Sequence, residues 1–280
     1  MTNNKRIPQG RRGGTLEQTG NAMRLKQLFD LSGKTALVTG GSRGLGLAMA
    51  DALAEMGAKI AITARKADEL ESAKQALEEN GYPVFATVSD LSRPETIEPM
   101  VATVVDVLGP IDVLVNNAGT SWGAPAEDYP LNGWRKVIDV NLTGTWLVTQ
   151  AVARASMIPR SSGSIINIAS VSGLKGSANR GFRAVGYCAS KGGLISISRA
   201  LAGEWGPLGI TINAICPGLI PTKMTKVVIE NVGESAAKSS PLRRLGTEDD
   251  LKGLVVLLAS EAGRHITGQA IAVDGGVTAV

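Results

Sequence analysis

Tyr187 and Lys191 stand four residues apart in Tyr187-Cys188-Ala189-Ser190-Lys191, a spacing that can do acid–base chemistry. The stretch from Gly192 to Trp205 carries apolar residues at Leu194, Ile197 and Leu201, a helical period. On a helix, residues i and i+4 share one face. A cation beside a phenol favours the phenolate, so Lys191 is expected to draw the Tyr187 pKa down toward neutrality. Tyr187 is then a candidate general acid/base. The pair alone also fits a surface contact, and its weight depends on a cofactor site on the same chain.

Such a site is spelled by Thr39-Gly40-Gly41-Ser42-Arg43-Gly44-Leu45-Gly46. An apolar strand-like run from Lys34 precedes it, and a helix-forming run from Leu47 to Met56 follows. Strand, glycine loop and helix is the setting of a phosphate-binding turn. Glycine lets the backbone turn tightly and approach a pyrophosphate. The free N–H groups of the helix start then face its negative charge. The glycines at 40, 44 and 46 depart from the G-x-G-x-x-G spacing of most dinucleotide folds.

The next strand, Lys59 to Thr63, bears on which nucleotide fits. In NAD-binding units an acidic residue about twenty positions on holds the ribose 2′-hydroxyl, whereas a nearby Arg accommodates a 2′-phosphate. Here the strand runs into Ala64-Arg65-Lys66, with no acid before Asp68. Arg43, inside the glycine loop, offers a second guanidinium, whose planar fork suits phosphate. NADP(H) is therefore expected over NAD(H). The competing reading makes Arg65 and Lys66 solvated charges at a helix start.

Four further segments complete a pattern. Asn116-Asn117-Ala118-Gly119 follows the strand-like run Ile111 to Val115, and Asn141 lies in Asp139-Val140-Asn141-Leu142-Thr143-Gly144. Ser170 ends the strand-like Ser164 to Ala169, and Pro217-Gly218 leads to Thr222. With these, the chain resembles the short-chain dehydrogenase/reductase family over residues 31 to 280, with the motifs in the family's order. The resemblance implies that Tyr187 is the acid in carbonyl reduction and the base in alcohol oxidation. It implies that Lys191 holds the nicotinamide ribose and that Ser170 hydrogen-bonds the substrate oxygen. Asn141 would anchor a water chain leading to Lys191. Gly40, Gly41, Ser42, Arg43, Gly44, Leu45 and Gly46 would form the phosphate loop, and Arg65 and Lys66 the 2′-phosphate site. Asp90 would meet the adenine amino group, Asn117 and Gly119 the adenosine ribose, and Ile220 and Thr222 the carboxamide. Leu91, Ala118, Val140, Pro217 and Gly218 complete the implied cofactor set. Asp90 and Asn117 also read as residues that cap turns at strand ends.

One spacing departs from the family. Its serine usually lies thirteen residues before the tyrosine; Ser170 lies seventeen before Tyr187. We read an insertion of four residues within 175–186, a stretch containing Asn179-Arg180-Gly181-Phe182-Arg183 beside the expected substrate entrance. Arg180 and Arg183 are either partners for an anionic substrate or solvated loop residues. Ser172 is the alternative serine, but Ser170 fits the strand end better.

The elements that must position these residues alternate between strand and helix along 280 residues, enough for one large α/β domain. Alternation predicts a parallel sheet covered on both faces, a Rossmann-type doubly wound fold. Seven strands are expected, near 34–39, 59–64, 83–88, 111–115, 163–169, 210–215 and 270–273. Ligands bind beyond the carboxyl ends of such strands, where the glycine loop, Asp90, Asn117, Ser170 and Pro217 fall in this reading.

The chain has 29 Lys and Arg against 25 Asp and Glu. Six of those bases and two of the acids lie in residues 1–30, leaving 23 of each in the remainder. The basic excess thus belongs to a polar amino-terminal arm, expected to be flexible or docked on a partner. The arm has no apolar core for a secretory signal, and its lack of interleaved aromatics makes nucleic-acid binding an unfavoured reading. No run approaches the roughly twenty apolar residues of a membrane span, so a cytoplasmic protein is expected. Cys188 and Cys216 read as small buried residues rather than a disulfide framework. With His265 the sole histidine, a serine–histidine triad or multi-histidine metal site has little to draw on; no metal is expected.

Substrate is the least legible feature. Residues 219–241 are expected to form a lid, whose Met224, Val227, Val228 and Ile229 suit either a lipid-like chain or helix core. Ser121 and Trp122, just past the cofactor strand, are placed to touch substrate. The segment 117–124 is similar to that of β-ketoacyl reductases and to that of gluconate and polyol dehydrogenases. Three functions stay in view: reduction of a 3-oxoacyl thioester or related ketone, oxidation of a polyol, sugar acid or steroid alcohol, and cofactor-dependent regulation. The resemblance also implies a homo-oligomer, tetramer or dimer, built through helices near 131–155 and 186–206 and the carboxyl-terminal segment.

Overall fold

The structure is a computed structural model and describes residues 23–176 and 183–280. The 177–182 part of the expected insertion, Arg180 included, and most of the basic arm lie outside the described residues.

Seven strands form one parallel sheet: β1 (Thr35–Thr39), β2 (Lys59–Ala64), β3 (Val84–Val88), β4 (Val113–Asn116), β5 (Gly163–Ile168), β6 (Ile210–Pro217) and β7 (Ala270–Val273). Their spatial order is β3-β2-β1-β4-β5-β6-β7. The β1 strand is buried along its whole length, as expected of a strand covered on both faces. Side chains alternate across it: Ala36 and Val38 enter one core with Ile60, Ile62, Val113 and Val115. Leu37 enters the other core with Ala61, Leu114, Ile165 and Ile212.

Helices cover the sheet or flank it. A short turn α1 (Leu25–Leu28) precedes Leu31, which is buried. Helices α2 (Gly44–Glu55), α3 (Ala67–Glu79) and α8 (Lys252–Ala259) place Met49, Leu53, Leu70, Leu77 and Val255 in the first core. On the opposite face lie α4 (Ile97–Leu108), α5 (131–160) and α6 (Val185–Trp205), with Met100, Val104, Val152, Met157, Leu201 and Trp205. Helix α7 (Lys226–Ser239) follows the loop after β6.

Three boundaries differ from expectation. Strand β4 begins at Val113, because Ile111 is a core residue ahead of it whose N–H donates to Ser156 Oγ at 3.0 Å. Strand β6 continues through Cys216 and Pro217, in parallel register with Ala272 and Val273. The α5 helix runs past 155 and contains two π-type turns, Asp139–Gly144 and Ala153–Met157. At the first, a Cβ on Gly144 would come 2.3 Å from the Leu91 carbonyl oxygen, so close approach to the β3 loop requires glycine there.

Candidate active site

The chain leaves β1 toward β2 on one side and β4 on the other, so β1 and β4 bound the crevice at which sheet order reverses. A cleft of about 670 Å³ opens there, over the carboxyl ends of the strands. Its floor is the glycine loop. Gly40 and Gly44 take φ of +64° and +56°, in the left-handed region that disfavours side chains. A Cβ on Gly46 would lie 2.3 Å from the Gly40 carbonyl oxygen and 2.4 Å from Asn117 Nδ2. Asn117 Nδ2 donates to the Thr39 and Gly40 carbonyls at 3.1 and 3.0 Å, fastening the β1 loop to the β4 loop. Helix α2 opens with no side-chain cap and no acid in its first turn, so the N–H groups there have no anionic partner from α2 itself. These features fit a pyrophosphate.

Most of the expected cofactor residues line this cleft: Gly40, Ser42, Arg43, Gly44, Leu45, Gly46, Arg65, Lys66, Asp90, Leu91, Asn117, Ala118, Gly119, Val140, Pro217, Gly218, Ile220 and Thr222. Gly41 does not. Its N–H donates to the Thr63 carbonyl, and a Cβ would meet Ile62 Cγ2 at 2.7 Å, so it is a packing glycine against β2. Asp90 and Asn117 line the cleft and also take part in hydrogen bonds of the loops after β3 and β4, Asp90 Oδ1 accepting from the Ser92 N–H and Oγ.

At the other end of the cleft, Ser170, Tyr187 and Lys191 converge. Tyr187 and Lys191 sit two and six residues past the start of α6, and Ser170 follows β5. The Tyr187 hydroxyl is hydrogen-bonded to the Ser170 side chain, which selects Ser170 over Ser172. Ser172 instead donates its backbone N–H to Ser170 Oγ at 3.1 Å. Lys191 is 4% exposed, its Nζ 5.5 Å from the Tyr187 ring centroid and donating to the Ile168 carbonyl at 2.7 Å.

The electrostatics correct the sequence expectation. Burial raises the Tyr187 phenol to about 12, with the Ser170 hydrogen bond acting the other way and Cys188 adding a smaller upward push. Burial also lowers the Lys191 ammonium to about 8, Cys216 opposing. Lys191 is not among the causes of the Tyr187 shift, of which desolvation is the largest. Tyr187 is therefore held protonated at neutral pH. Cys216 is buried, its thiol pushed up to about 11 by burial, and Cys188 is half-buried with its thiol also raised by burial.

Asn141 lies behind the cleft, fully buried in the first π-type turn. Its Oδ1 accepts from the Thr120 N–H at 2.7 Å, and its Nδ2 donates to the Thr120 carbonyl and Ser190 Oγ at 2.9 and 3.0 Å. The side chain thus ties the β4 loop to α6. Trp122 turns away from the cleft: a Cβ on Gly133 would meet its ring at 2.9 Å, and Lys136 Nζ lies 5.3 Å over it. Ser121 does line the cleft.

Several cleft residues were not anticipated from sequence: Glu69, Lys223, Thr225 and Glu248. Thr225 Oγ1 accepts from the Thr222 N–H at 2.8 Å and donates to the Ile220 carbonyl at 2.7 Å, shaping the loop before α7. In sequence these residues are ordinary polar positions; only the fold gathers them. Met224 lines the cleft and is 50% exposed, and Val227 is 66% exposed, so these two side chains are not helix core.

A glycine-floored nucleotide cleft ending in a serine–tyrosine–lysine group defines a nicotinamide-nucleotide-dependent oxidoreductase. Residues 40–278 match the family described as enoyl-(acyl carrier protein) reductase. The chain is 38% identical to gluconate 5-dehydrogenase of Gluconobacter oxydans, with 90% of this chain and 97% of that protein covered. It is also 38% identical to a 3-oxoacyl-[acyl-carrier-protein] reductase of Chlamydia trachomatis, covering 88% of this chain and 98% of that one. Among solved structures, gluconate 5-dehydrogenase of Burkholderia cenocepacia in complex with NADP and tartrate superposes with a TM-score of 0.86 at 32% identity, covering 92% and 100% of the two chains. The chain belongs to the short-chain dehydrogenase/reductase family and is an NAD(P)-dependent oxidoreductase.

Among the described residues, no helix is long and apolar enough to cross a membrane, and no group of three His, Cys, Asp or Glu is placed to hold a metal ion.

Proposed function

We propose that the protein is an NADPH-dependent carbonyl reductase acting on a 3-oxoacyl thioester or a related ketone. The observation that carries this reading is the Tyr187 hydroxyl hydrogen-bonded to Ser170, beside Lys191 at the cleft end, with burial pushing the phenol up and so favouring its protonated form. Bound NADPH supplies the hydride. Ser170 and Tyr187 hold the carbonyl oxygen, and Tyr187 gives it a proton as negative charge develops there. Lys191 holds the nicotinamide ribose and keeps a positive charge near the phenol as it loses its proton. The Asn141 side chain is spent on Thr120 and Ser190, so its part is to fix the walls around Lys191. Asn141 sits in a π-type turn, where the ordinary helical ladder is interrupted, and is the residue from which a proton relay would lead to Lys191.

Preference for NADP(H) is supported by Arg43, Arg65 and Lys66 at one end of the cleft, and by relatives solved with NADP. The apolar Met224 and Val227 on the lid favour an acyl chain. A second reading, oxidation of a polyol or sugar acid, is favoured by the identity to gluconate 5-dehydrogenase, equal to that with the 3-oxoacyl reductase. A purely regulatory role is disfavoured, since it has no need of Ser170, Tyr187 and Lys191 together. Leu131, Trp134 and Val185, exposed at the starts of α5 and α6, suit the expected homo-oligomer; light scattering showing a monomer would count against it.

The test is oxidation of NADPH with acetoacetyl-coenzyme A, run beside NADH, and reduction of NADP⁺ with gluconate. Turnover of the thioester with NADPH at ten or more times the efficiency with NADH is the expected result. Turnover of gluconate alone would replace the substrate assignment, and equal efficiency with both cofactors would end the NADP(H) preference.

A further inference from the structure

One carboxylate in the cleft stands where an anion-binding site would be expected to stay open. Glu69, in the first turn of α3, meets three cations from three separate segments. Its Oε2 lies 2.6 Å from Arg43 Nη1 of the glycine loop. Its Oε1 lies 3.2 Å from Lys66 Nζ, at the end of the β2 turn, and 3.5 Å from Lys223 Nζ, on the loop before α7. Arg65 lines the same end of the cleft and has no ion pair among the described residues. The three cations are well exposed, with side-chain exposures of 50%, 61% and 66%, while Glu69 is 24% exposed among them. Exposed pairs of this kind contribute little to folding stability, so stability alone gives no reason for the convergence. The arrangement matches the charge pattern of a phosphate site already holding an anion: cations converge on a planar pair of oxygens, one of them a guanidinium.

We propose that Glu69 is an internal counter-ion seated in the 2′-phosphate subsite, which the 2′-phosphate of NADP(H) displaces on binding, so that Glu69 sets how strongly the enzyme prefers NADP(H). The inference rests on the reading of Arg43, Arg65 and Lys66 as that subsite. A 2′-phosphate brings about two negative charges into a space where Glu69 already places one. Repulsion between them opposes binding, and the three cations must be released by the carboxylate before they engage the phosphate. Glu69 is charged throughout the neutral range, since the Lys66 hydrogen bond and the nearby Arg43, Lys66 and Lys223 hold its carboxyl below the usual range. A cofactor without the 2′-phosphate meets no such competition. The contact with Lys223 also crosses 154 positions of sequence, so displacement of Glu69 frees a lid cation to follow the phosphate.

The test is calorimetric binding of adenosine 2′,5′-bisphosphate and of adenosine 5′-monophosphate to the full chain and to Glu69→Gln. The wild type is expected to bind the bisphosphate more tightly than the monophosphate. Glu69→Gln is expected to bind the bisphosphate at least ten-fold more tightly than wild type, while its affinity for the monophosphate changes by less than about three-fold. The gain is expected to shrink as salt is raised, because surface charges are screened. Glu69→Ala, which keeps helix propensity, is expected to move in the same direction. If the wild type does not distinguish the two ligands, the 2′-phosphate subsite itself is wrong. If it does, but the Glu69 variants bind the bisphosphate equally or more weakly, Glu69 organises the subsite rather than competing for it, and the proposal is overturned.

Discussion

Replacing Lys191 with Met separates the cost of a buried charge from its use. The ammonium is 4% exposed and, lowered by burial from its usual 10.5 to about 8, carries a desolvation penalty. A depression of that size corresponds to roughly 3 kcal/mol against folding with the group charged. Removing the ammonium also leaves the Ile168 carbonyl without its donor at 2.7 Å, which costs about 1–2 kcal/mol. Lys191→Met is therefore expected to be more stable than wild type at pH 7, by about 1–2 kcal/mol, or roughly 2–8 °C in Tm for a chain of this size. The sign changes with pH in a defined way. Between pH 8 and 10.5 the unfolded chain still binds the lysine proton that the folded chain has released, so this group makes wild-type stability rise with pH. The advantage of the variant is then expected to shrink across that window. Its turnover is expected to fall by about two to four orders of magnitude, the usual worth of acid–base assistance. Thermal melts from pH 7 to 10.5, with initial rates on the same samples, provide the assay. A variant less stable than wild type at pH 7, with no trend above pH 8, would refute the desolvation argument. One that kept a tenth of wild-type turnover would refute the catalytic role.

Tyr187→Phe is expected to lose turnover by at least a hundred-fold yet bind NADPH within a few-fold of wild type by fluorescence titration; weakened binding with full turnover per bound cofactor would contradict its assignment as the proton donor. The buried phenol, raised to about 12, favours the folded state fully below pH 10 and loses that contribution as pH rises toward 12; the same variant should therefore flatten the alkaline fall in stability above pH 10. Gly46→Ala puts a methyl 2.3 Å from the Gly40 carbonyl oxygen and 2.4 Å from Asn117 Nδ2. It should cost about 1–3 kcal/mol in stability and weaken NADPH binding at least ten-fold, and a denaturant melt unchanged from wild type would show that the two loops are not fastened there.

The sequence by itself determined the sheet and which residues were candidates for the catalytic group. Apolar runs alternating with helix-forming runs admit a parallel sheet covered on both faces, and six motifs in order leave little freedom in where the cleft lies. Tyr187 and Lys191 were legible as a pair because helical spacing is local, and Ser170 because it ends a strand run. Sequence groups Gly41 with its loop neighbours, but whether a loop glycine faces the cleft or Ile62 depends on a strand that comes later in the chain. Chain proximity likewise puts Trp122 beside the substrate, while in the fold its ring packs on Gly133 of α5. Protonation was decided by tertiary structure alone: a neighbouring cation is visible in sequence, but the burial that raises Tyr187 and lowers Lys191 is not. The same holds for Glu69. Arg43, Lys66 and Lys223 lie on separate segments, and only the folded chain brings their charges within 2.6–3.5 Å of one carboxylate, because Coulomb interactions depend on distance in space and not on position along the chain.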